Sequence, residues 1–441
     1  MFLGNREREM GTGAPGAVAG YDFSDRTAQI SYCLPGSGQP ETVSLVAGEE
    51  QFLIPALLAR CAERDLWLFG KEAQESVERG EAAAVTDLLE RAVRRETVFL
   101  DGQPFDPVAL LSLFLKRTLS LLNPILPLGR IRAFVFTVEE VTGPVIEALT
   151  QSVSLLGLKG AKLYVIGRAE SFFYYNISQP AELWVHDVLL CDFSGPCLKT
   201  FLFTLNRRTT PVAAFVEEAS FPHVRRPEDA GSGEEDGRRR ERLEKLDRYF
   251  ADAVGQLMKD RTVSTVYLIG EGFQGEWYQE SLKLLCQGRR VFLGNNLYSK
   301  GACYAAKERL SGSRLSADYA FLGRDMIRAN VGMHVLRRGQ DAYLALLDAG
   351  TNWYEAKKEC EFLLEEENSF SLRITPLNGK EVREVLVSLN GLAKRPPRMT
   401  RIRMRVDMTD VSTVRINMED LGFGEFYPAT HQFWEETFSL A

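Results

Sequence analysis

Apolar and polar residues in the first part of the chain alternate at two spacings, which predict strands and helices in turn. Alternation of apolar and polar residues predicts three closely spaced strands, at about 17–23, 27–33 and 42–46. Two later apolar runs, 131–137 and 162–167, are each followed by apolar residues at helical spacing. This strand–helix order favours right-handed crossovers in a largely parallel sheet.

A similar order returns after residue 185. An apolar run predicts a strand that ends at Asp192, and further strands and helices follow it. The predicted strands lie at 198–205, 211–216, 265–269 and 291–294, with a charged helix at 238–259 and a second helix from 296. The chain therefore predicts two consecutive α/β segments.

The pattern changes after residues 311–318, which are rich in Ser, Gly and charge and predict a domain boundary. Beyond them, short runs around 385–389, 402–406 and 414–418 alternate apolar and polar residues, with turns about every ten residues. This spacing is typical of a β-sandwich. The sequence thus predicts a flexible N-terminus at 1–16, segments at 17–185 and 186–312, and a sandwich at 319–441.

Three of the predicted strands end in turns that could carry chemistry. The run that ends at Asp22 continues into Ser24 and Asp25, and the run that ends at Asp192 continues into Ser194 and Gly195. Carboxylates at strand ends can hold a hydrated Mg²⁺, and the neighbouring N–H groups and hydroxyls can contact phosphate. Plain strand-to-turn connections use the same residue types, so each motif is weak when taken alone.

The third turn is Gly270-Glu271-Gly272, after the strand predicted at 265–269. Its glycines would let the backbone approach a nucleotide closely. Lys300-Gly301-Ala302 follows at the start of a predicted helix.

Acid loop, acid loop, Gly loop and Lys-Gly-Ala helix, in this order, resemble the superfamily of actin, sugar kinases and the large heat-shock chaperones. The resemblance covers about residues 15–310 and is closest to bacterial proteins like the seventy-kilodalton heat-shock chaperone. It implies a two-lobed, actin-like (ribonuclease-H-like) ATPase fold with an insertion at about 50–105. It also implies a C-terminal β-sandwich like that chaperone's peptide-binding domain.

The resemblance also implies roles for particular residues. Asp22 and Asp192 would hold Mg²⁺ with ATP or ADP, and Glu170 would help to position the attacking water. Alternatively, Glu170 has no catalytic role and is simply an acidic residue in a first helical turn, a position that the helix dipole favours. The nucleotide contacts would come from the loops and the last helix: Ser24, Asp25, Ser194, Gly195, Gly270, Gly272, Lys300 and Gly301.

Several residues depart from the heat-shock pattern. Pro196 has no N–H to donate, Asp25 adds negative charge where phosphate should lie, and Glu271 replaces a small residue. The phosphate-contacting lysine of the chaperones has no clear equivalent. Only 70 positions separate Gly195 from Thr265, so the second lobe is expected to be reduced, and no helical lid is expected. These departures favour binding without efficient turnover.

Composition narrows the classes of partner. The net charge of −7 gives no general affinity for nucleic acid, and no apolar run reaches the roughly 18 residues of a membrane span. Seven scattered cysteines without a CxxC pair fit a reducing cytoplasm, and four isolated histidines do not suggest a metal site.

Three functions remain open from the sequence. The first is a chaperone-like protein that binds ATP or ADP weakly and a peptide or protein partner through the sandwich. The second is a nucleotide-independent scaffold that kept the fold and lost the site. The third is an enzyme, either a slow ATPase or a small-molecule kinase. The pattern leaves the oligomeric state undecided.

Overall fold

The computed structural model describes residues 16–46, 48–61, 65–158, 160–209, 211–226, 236–311, 318–365, 368–377 and 381–440. The chain divides into two compact units, Met1–Ala320 and Phe321–Ala441. The flexible segment predicted at 1–16 lies almost wholly outside the described residues, as does most of the boundary predicted at 311–318. No helix in the described ranges is long and apolar enough to cross a membrane.

The first part of unit 1 builds a main mixed sheet, two small sheets and helices. Its elements are β1 (Ala17–Phe23), β2 (Thr27–Cys33), β3 (Glu41–Thr42), β4 (Ile54–Pro55), β5 (Leu58–Cys61), β6 (Leu66–Phe69), α1 (Gly70–Glu78), β7 (Ala83–Val85), α2 (Leu88–Arg94), β8 (Val98–Leu100), β9 (Gln103–Phe105), α3 (Pro107–Leu119), β10 (Ile131–Val138), α4 (Gly143–Ser154), β11 (Lys162–Gly167) and α5 (Arg168–Ile177). The main sheet has the order β11-β10-β1-β2-β3, and β4 also pairs with β2. Strands β1, β10 and β11 are parallel, whereas β1, β2 and β3 form an antiparallel meander.

The second part of unit 1 builds a sheet of the same plan. Its elements are β12 (Asp187–Asp192), β13 (Cys197–Asn206), β14 (Val212–Arg225), α6 (Asp236–Met258), β15 (Val263–Ile269), α7 (Gln279–Leu285), β16 (Arg290–Gly294), α8 (Leu297–Ser311) and β17 (Tyr319–Phe321). The order is β16-β15-β12-β13-β14-β17, with β12, β15 and β16 parallel and β12, β13 and β14 antiparallel. Each sheet therefore contains a three-strand meander followed by two parallel crossover strands.

Two helices join the two sheets. Helix α5 follows the last strand of the first sheet, yet its Phe172 packs against Phe203 and Tyr267 of the second sheet, with ring centroids 6.5 and 6.4 Å apart. Helix α8 follows β16 of the second sheet and packs on β1, where a side chain at Gly20 would come within 2.2 Å of the Ser299 carbonyl oxygen. The N-termini of α5 and α8 therefore both lie at the edge where the parallel strands end.

Local chemistry explains where the observed elements differ from the pattern. Helix α2 begins only at Leu88, because Asp87 adopts a left-handed conformation and Ala84 before it pairs with Ala59 of β5. Asp106 caps the N-terminus of α3, since its carboxylate accepts the Ala109 N–H at 2.7 Å.

Unit 2 contains strands only, among its described residues. They are β18 (Ala329–Arg337), β19 (Gln340–Leu347), β20 (Lys357–Leu363), β21 (Ser369–Pro376), β22 (Arg383–Ser388), β23 (Arg401–Met408), β24 (Thr413–Asp420) and β25 (Phe433–Ser439). They form two antiparallel sheets of four strands, ordered β19-β18-β21-β22 and β20-β23-β24-β25. Alternate residues of both sheets, such as Val331 and Met404, share one apolar core.

Candidate functional site

The two predicted acidic residues occupy equivalent places in the two sheets. Asp22 lies near the end of β1, opposite Thr137 of β10 and Gln29 of β2. Asp192 is the last residue of β12, opposite Ile269 of β15. Both carboxylates raise the pKa of the same guanidinium, so the ends of β1 and β12 lie near each other.

That guanidinium belongs to Arg168, the first residue of α5. Its Nη1 donates to Asp192 Oδ2 at 3.2 Å, and the Tyr298 hydroxyl at the start of α8 donates to the same oxygen at 2.9 Å. The guanidinium carbon lies 5.1 Å from the centre of the Tyr298 ring. Arg168 is 8% exposed and Asp192 is 2% exposed, so this ion pair is removed from water. Asp192 Oδ2 therefore already accepts hydrogen bonds from a guanidinium and a hydroxyl group of the chain itself.

The titration of this cluster follows from burial and the opposing charges. Burial raises the pKa of Asp22 to about 6, although Arg168 lowers it and Asp192 raises it further. Burial also raises the pKa of Tyr298 far above its usual range, and the nearby Asp192 adds to this effect. Burial by itself would lower the pKa of Arg168, but Asp192 and its other neighbours outweigh burial and raise it. Arg168 is therefore charged and Tyr298 is a neutral donor at neutral pH.

Three side-chain oxygens near the end of β1 have no hydrogen-bond partner among the described residues. They are Asp22 Oδ1, Gln29 Oε1 and Thr137 Oγ1, and all three are buried. Because Gln29 and Thr137 lie directly opposite Asp22, the three side chains form one row across β2, β1 and β10. Buried polar atoms normally have a partner, so this row is a place where water or a cation would bind.

The polar residues of the two turns make local hydrogen bonds. Ser24 Oγ donates to the Thr27 carbonyl at 3.0 Å and accepts the Thr27 N–H at 3.1 Å, which closes the β1–β2 hairpin. Asp25 is exposed at the tip of this hairpin. The Ser194 N–H donates to Asp192 Oδ1 at 2.9 Å, and Gly195 continues the same turn. The Ser194 amide predicted to contact phosphate therefore already has an acceptor.

The glycine loop packs directly against the second acidic turn. Gly270 has φ +99°, and a side chain there would come within 2.3 Å of the Ser194 nitrogen. A side chain at Gly272 would come within 2.5 Å of the Phe193 ring. Glu271 points away into an ion pair with Arg226 at 2.9 Å. Both glycines are explained by close packing within the protein.

The remaining predicted residues lie where α5 meets α8. Glu170 is buried and pairs with Arg309 of α8 at 3.0 Å. A side chain at Gly301 would come within 2.2 Å of the Ser171 carbonyl oxygen, so the helices touch there. Lys300 is half-buried on α8, and its backbone N–H donates to the Asn296 carbonyl. The ion pair gives Glu170 a structural role, and its predicted catalytic role stays a prediction.

A magnesium ion shared by Asp22 and Asp192 does not fit this arrangement. Arg168 supplies positive charge to both carboxylates, and Asp192 already receives three donors, from Ser194, Arg168 and Tyr298. The described residues contain no group of three or more His, Cys, Asp or Glu side chains that could hold a metal ion.

A cavity of about 310 Å³ lies at the opposite ends of β12 and β15, where Asp187 and Thr262 line it.

Sequence reasoning did not identify Arg168, Tyr298, Gln29 or Thr137. Arg168 directly follows a strand-ending glycine, and Tyr298 lies two positions before the predicted Lys300. The only sequence signal for Arg168 and Tyr298 was that each lies in the first turn of a predicted helix. The contact itself depends on helices from two different sheets, which no local pattern reveals.

The comparisons with known proteins match parts of both units to models of unknown function. Residues 326–440 match a Domain of unknown function (DUF8552). No curated protein matches the chain. Residues 39–324 match the Family of unknown function (DUF5716) C-terminal, which covers well over half of the chain. The chain therefore belongs to the DUF5716 family of unknown function.

Proposed function

We propose that this protein is a non-hydrolysing scaffold with an actin-like, heat-shock-chaperone-like first unit and a partner-binding second unit. The repeated plan of a three-strand meander and two parallel crossover strands supports the two-lobed part of this proposal. The placement of Asp22 and Asp192 at equivalent strand ends supports it as well. A fold of this kind does not by itself carry its usual activity.

The observation that best supports a protein without ATP hydrolysis is the Arg168–Asp192 ion pair, together with the hydrogen bond from Tyr298 to Asp192. A buried guanidinium supplies the positive charge that Mg²⁺ would otherwise supply. An ion entering between the acids would have to displace Arg168 into water or lie beside a like charge. Either change costs free energy, so the resident arginine disfavours a metal–nucleotide complex.

The proposal of a partner rests on unit 2. A two-sheet module with a single apolar core offers unpaired edges at β19, β22, β20 and β25 among the described strands. An extended peptide can add to such an edge through main-chain hydrogen bonds. A protein or peptide partner is therefore the expected ligand, whereas nucleic acid and membrane are not expected. The cytoplasmic location stays a prediction.

The row of unpartnered oxygens favours one second candidate. Asp22 Oδ1, Gln29 Oε1 and Thr137 Oγ1 leave one side of the cleft open to a hydrated cation. Weak binding of ATP or ADP with Mg²⁺ on that side is the alternative function. A slow ATPase or small-molecule kinase is the third possibility, and steady phosphate release above an Asp22/Asp192 double-variant control is its assay.

Calorimetric titration with ATP and ADP, each with and without Mg²⁺, separates the first two candidates. The scaffold proposal expects no heat of binding and no nucleotide-dependent rise in Tm. Binding that requires Mg²⁺ and disappears in Asp22→Asn would establish the second candidate and reject the first. A Tyr249→Phe variant, changed at an exposed position of α6, serves as the control for nonspecific effects.

A further inference from the structure

Two cysteines from distant parts of unit 1 lie together beneath α8. Cys33 is the last residue of β2 and pairs with Val18 of β1 in the sheet register. The Cys303 thiol of α8 donates to the Val18 carbonyl oxygen at 3.9 Å. Both cysteines belong to the same apolar cluster, and neither forms a disulfide. The sheet register and the packing of α8 therefore bring the two thiols side by side.

The surroundings of the two thiols differ. Cys33 Sγ donates to the Ser37 carbonyl at 3.4 Å, and the ammonium of Lys307 donates to the same carbonyl at 3.3 Å. Hydrogen bonding from Cys303, helped by Lys307 and Ser37, lowers the pKa of Cys33 to about 6 against the opposing effect of burial. Burial instead holds the pKa of Cys303 well above its usual value. Cys33 is therefore the more readily ionised of the two thiols, and Cys303 stays protonated.

We propose that Cys33 and Cys303 are a redox-active pair that a hydroperoxide converts into a disulfide between β2 and α8. The Cys33 thiolate attacks one peroxide oxygen, the O–O bond breaks, and hydroxide leaves with a sulfenic acid remaining on Cys33. Cys303 then attacks that sulfur, and the hydroxyl group departs as water with the Cys303 proton. Two thiols and one hydrogen peroxide give one disulfide and two waters. A small-molecule thiol reverses the step by exchange.

Access and position make Cys33 the first sulfur to react. It is 5% exposed and adjoins the surface turn that begins at Leu34, whereas Cys303 is fully buried. Cys191, by contrast, has a pKa that burial raises strongly, and it lies in the core of the second sheet. Low pKa and a resolving neighbour therefore coincide at Cys33.

The disulfide would fix a contact that organises unit 1. Helix α8 leaves the second sheet and packs on the first, so a bond from Cys303 to Cys33 ties the two sheets together covalently. Crosslinking residues so far apart in sequence restricts the unfolded chain strongly. Oxidation should therefore stabilise unit 1, whether or not its cleft binds nucleotide.

Peptide mapping of the oxidised full-length protein tests this pairing. The protein is treated with hydrogen peroxide, blocked with N-ethylmaleimide and digested without reductant. The expected product is one crosslinked peptide pair, Cys33 with Cys303, that lacks two hydrogen atoms and separates on reduction. This experiment needs only the wild-type protein, so a variant that fails to fold cannot obscure the result. Recovery of both cysteines as unlinked maleimide adducts, while exposed Cys286 is oxidised, would overturn the proposal.

Two variants extend the test to stability. Cys303→Ser should abolish the crosslink and leave Cys33 oxidised to sulfinic acid, and Cys286→Ser should leave the crosslink intact. In wild type and Cys286→Ser, oxidation should raise Tm by several degrees, and reductant should reverse the rise. An equal rise in oxidised Cys303→Ser would show that the bond between these two residues is not its cause.

Discussion

Replacing Arg168 with methionine should destabilise unit 1 strongly at neutral pH. Methionine keeps an unbranched apolar side chain of similar length but removes the positive charge shared by Asp22 and Asp192. Breaking a buried pair by removing one partner costs about 3–5 kcal/mol. Asp192 would still accept hydrogen bonds from Ser194 and Tyr298, so we expect the lower end, about 3 kcal/mol. For a unit that spans Met1–Ala320 that loss lowers Tm by about 4–5 °C.

The loss should depend on pH in a definite direction. Arg168 lowers the pKa of Asp22 in the wild type, where burial still raises it to about 6. Without Arg168 that pKa rises further, so the folded state binds a proton more tightly than the unfolded chain does. Stability contributed by that proton is present at low pH and is lost as pH rises through the folded pKa. Arg168→Met should therefore approach wild-type stability near pH 5 and fall furthest behind near pH 8.

Scanning calorimetry of the full chain at several pH values measures both effects, provided that the transitions of the two units are resolved. The matched control is Arg309→Met, because Arg309 pairs with buried Glu170 and lies 4.7 Å from the centre of the Tyr164 ring. It should cost a similar amount, but without restoring any cation response at the acid pair.

A second substitution tests the cause of the loss. Adding Asp192→Asn to Arg168→Met removes one of the two carboxylates and should recover much of the lost stability. Magnesium should raise the Tm of Arg168→Met and leave the wild type and Arg309→Met unchanged. A loss below about 1 kcal/mol at pH 7, the range typical of exposed ion pairs, would refute the reasoning, as would an equal loss at pH 5 and pH 8.

Three further predictions follow from individual residues. Asp22→Asn should stabilise unit 1 by about 1–3 kcal/mol at pH 7 in denaturant titrations, because burial raises the pKa of the carboxyl that it replaces. The gain should vanish near pH 4, and destabilisation at pH 7 would contradict this prediction. Gly270→Ala should lower Tm by several degrees, because a side chain there would meet the Ser194 backbone. Gly275→Ala, at φ +85° with open space around it, should lower Tm less. Equal effects would show that the positive φ alone determines the loss of stability. Asp420→Asn should cost unit 2 about 3–5 kcal/mol by calorimetry, because its carboxylate accepts two 2.8 Å bonds from buried Arg395; a loss under 1 kcal/mol would exclude that role.

The sequence predicted the elements that depend on local pattern. Apolar runs that stop at an acid placed Asp22 and Asp192 near strand ends, because a buried strand needs apolar residues and its end does not. The strand–helix order likewise predicted a mixed α/β chain, and the later alternation predicted strands after residue 318. These features depend on neighbours a few positions away.

The contents of the cleft could not be predicted in the same way. Arg168 reaches Asp192 only because α5 leaves one sheet and packs on the other. Glu170 lies in the first turn of the same helix but pairs with Arg309 of α8, so a first-turn acid gave no information about its partner. Gly270 shows the same limit, because a glycine required by packing and one that faces a ligand look alike in sequence.

The geometry of the cleft explains why an arginine can settle there. The repeated sheet plan directs the N-termini of α5 and α8 toward the same edge as the two carboxylates, and helix N-termini favour negative charge. A single buried positive charge against two acids leaves a net negative cluster, which agrees with an Asp22 that retains its proton up to about pH 6. Protonation of Asp22 and entry of a cation would both relieve the same excess charge, so the two should compete. If the proposed scaffold has lost its metal, its stability should respond to pH near 6 and not to magnesium, while Arg168→Met should respond to both.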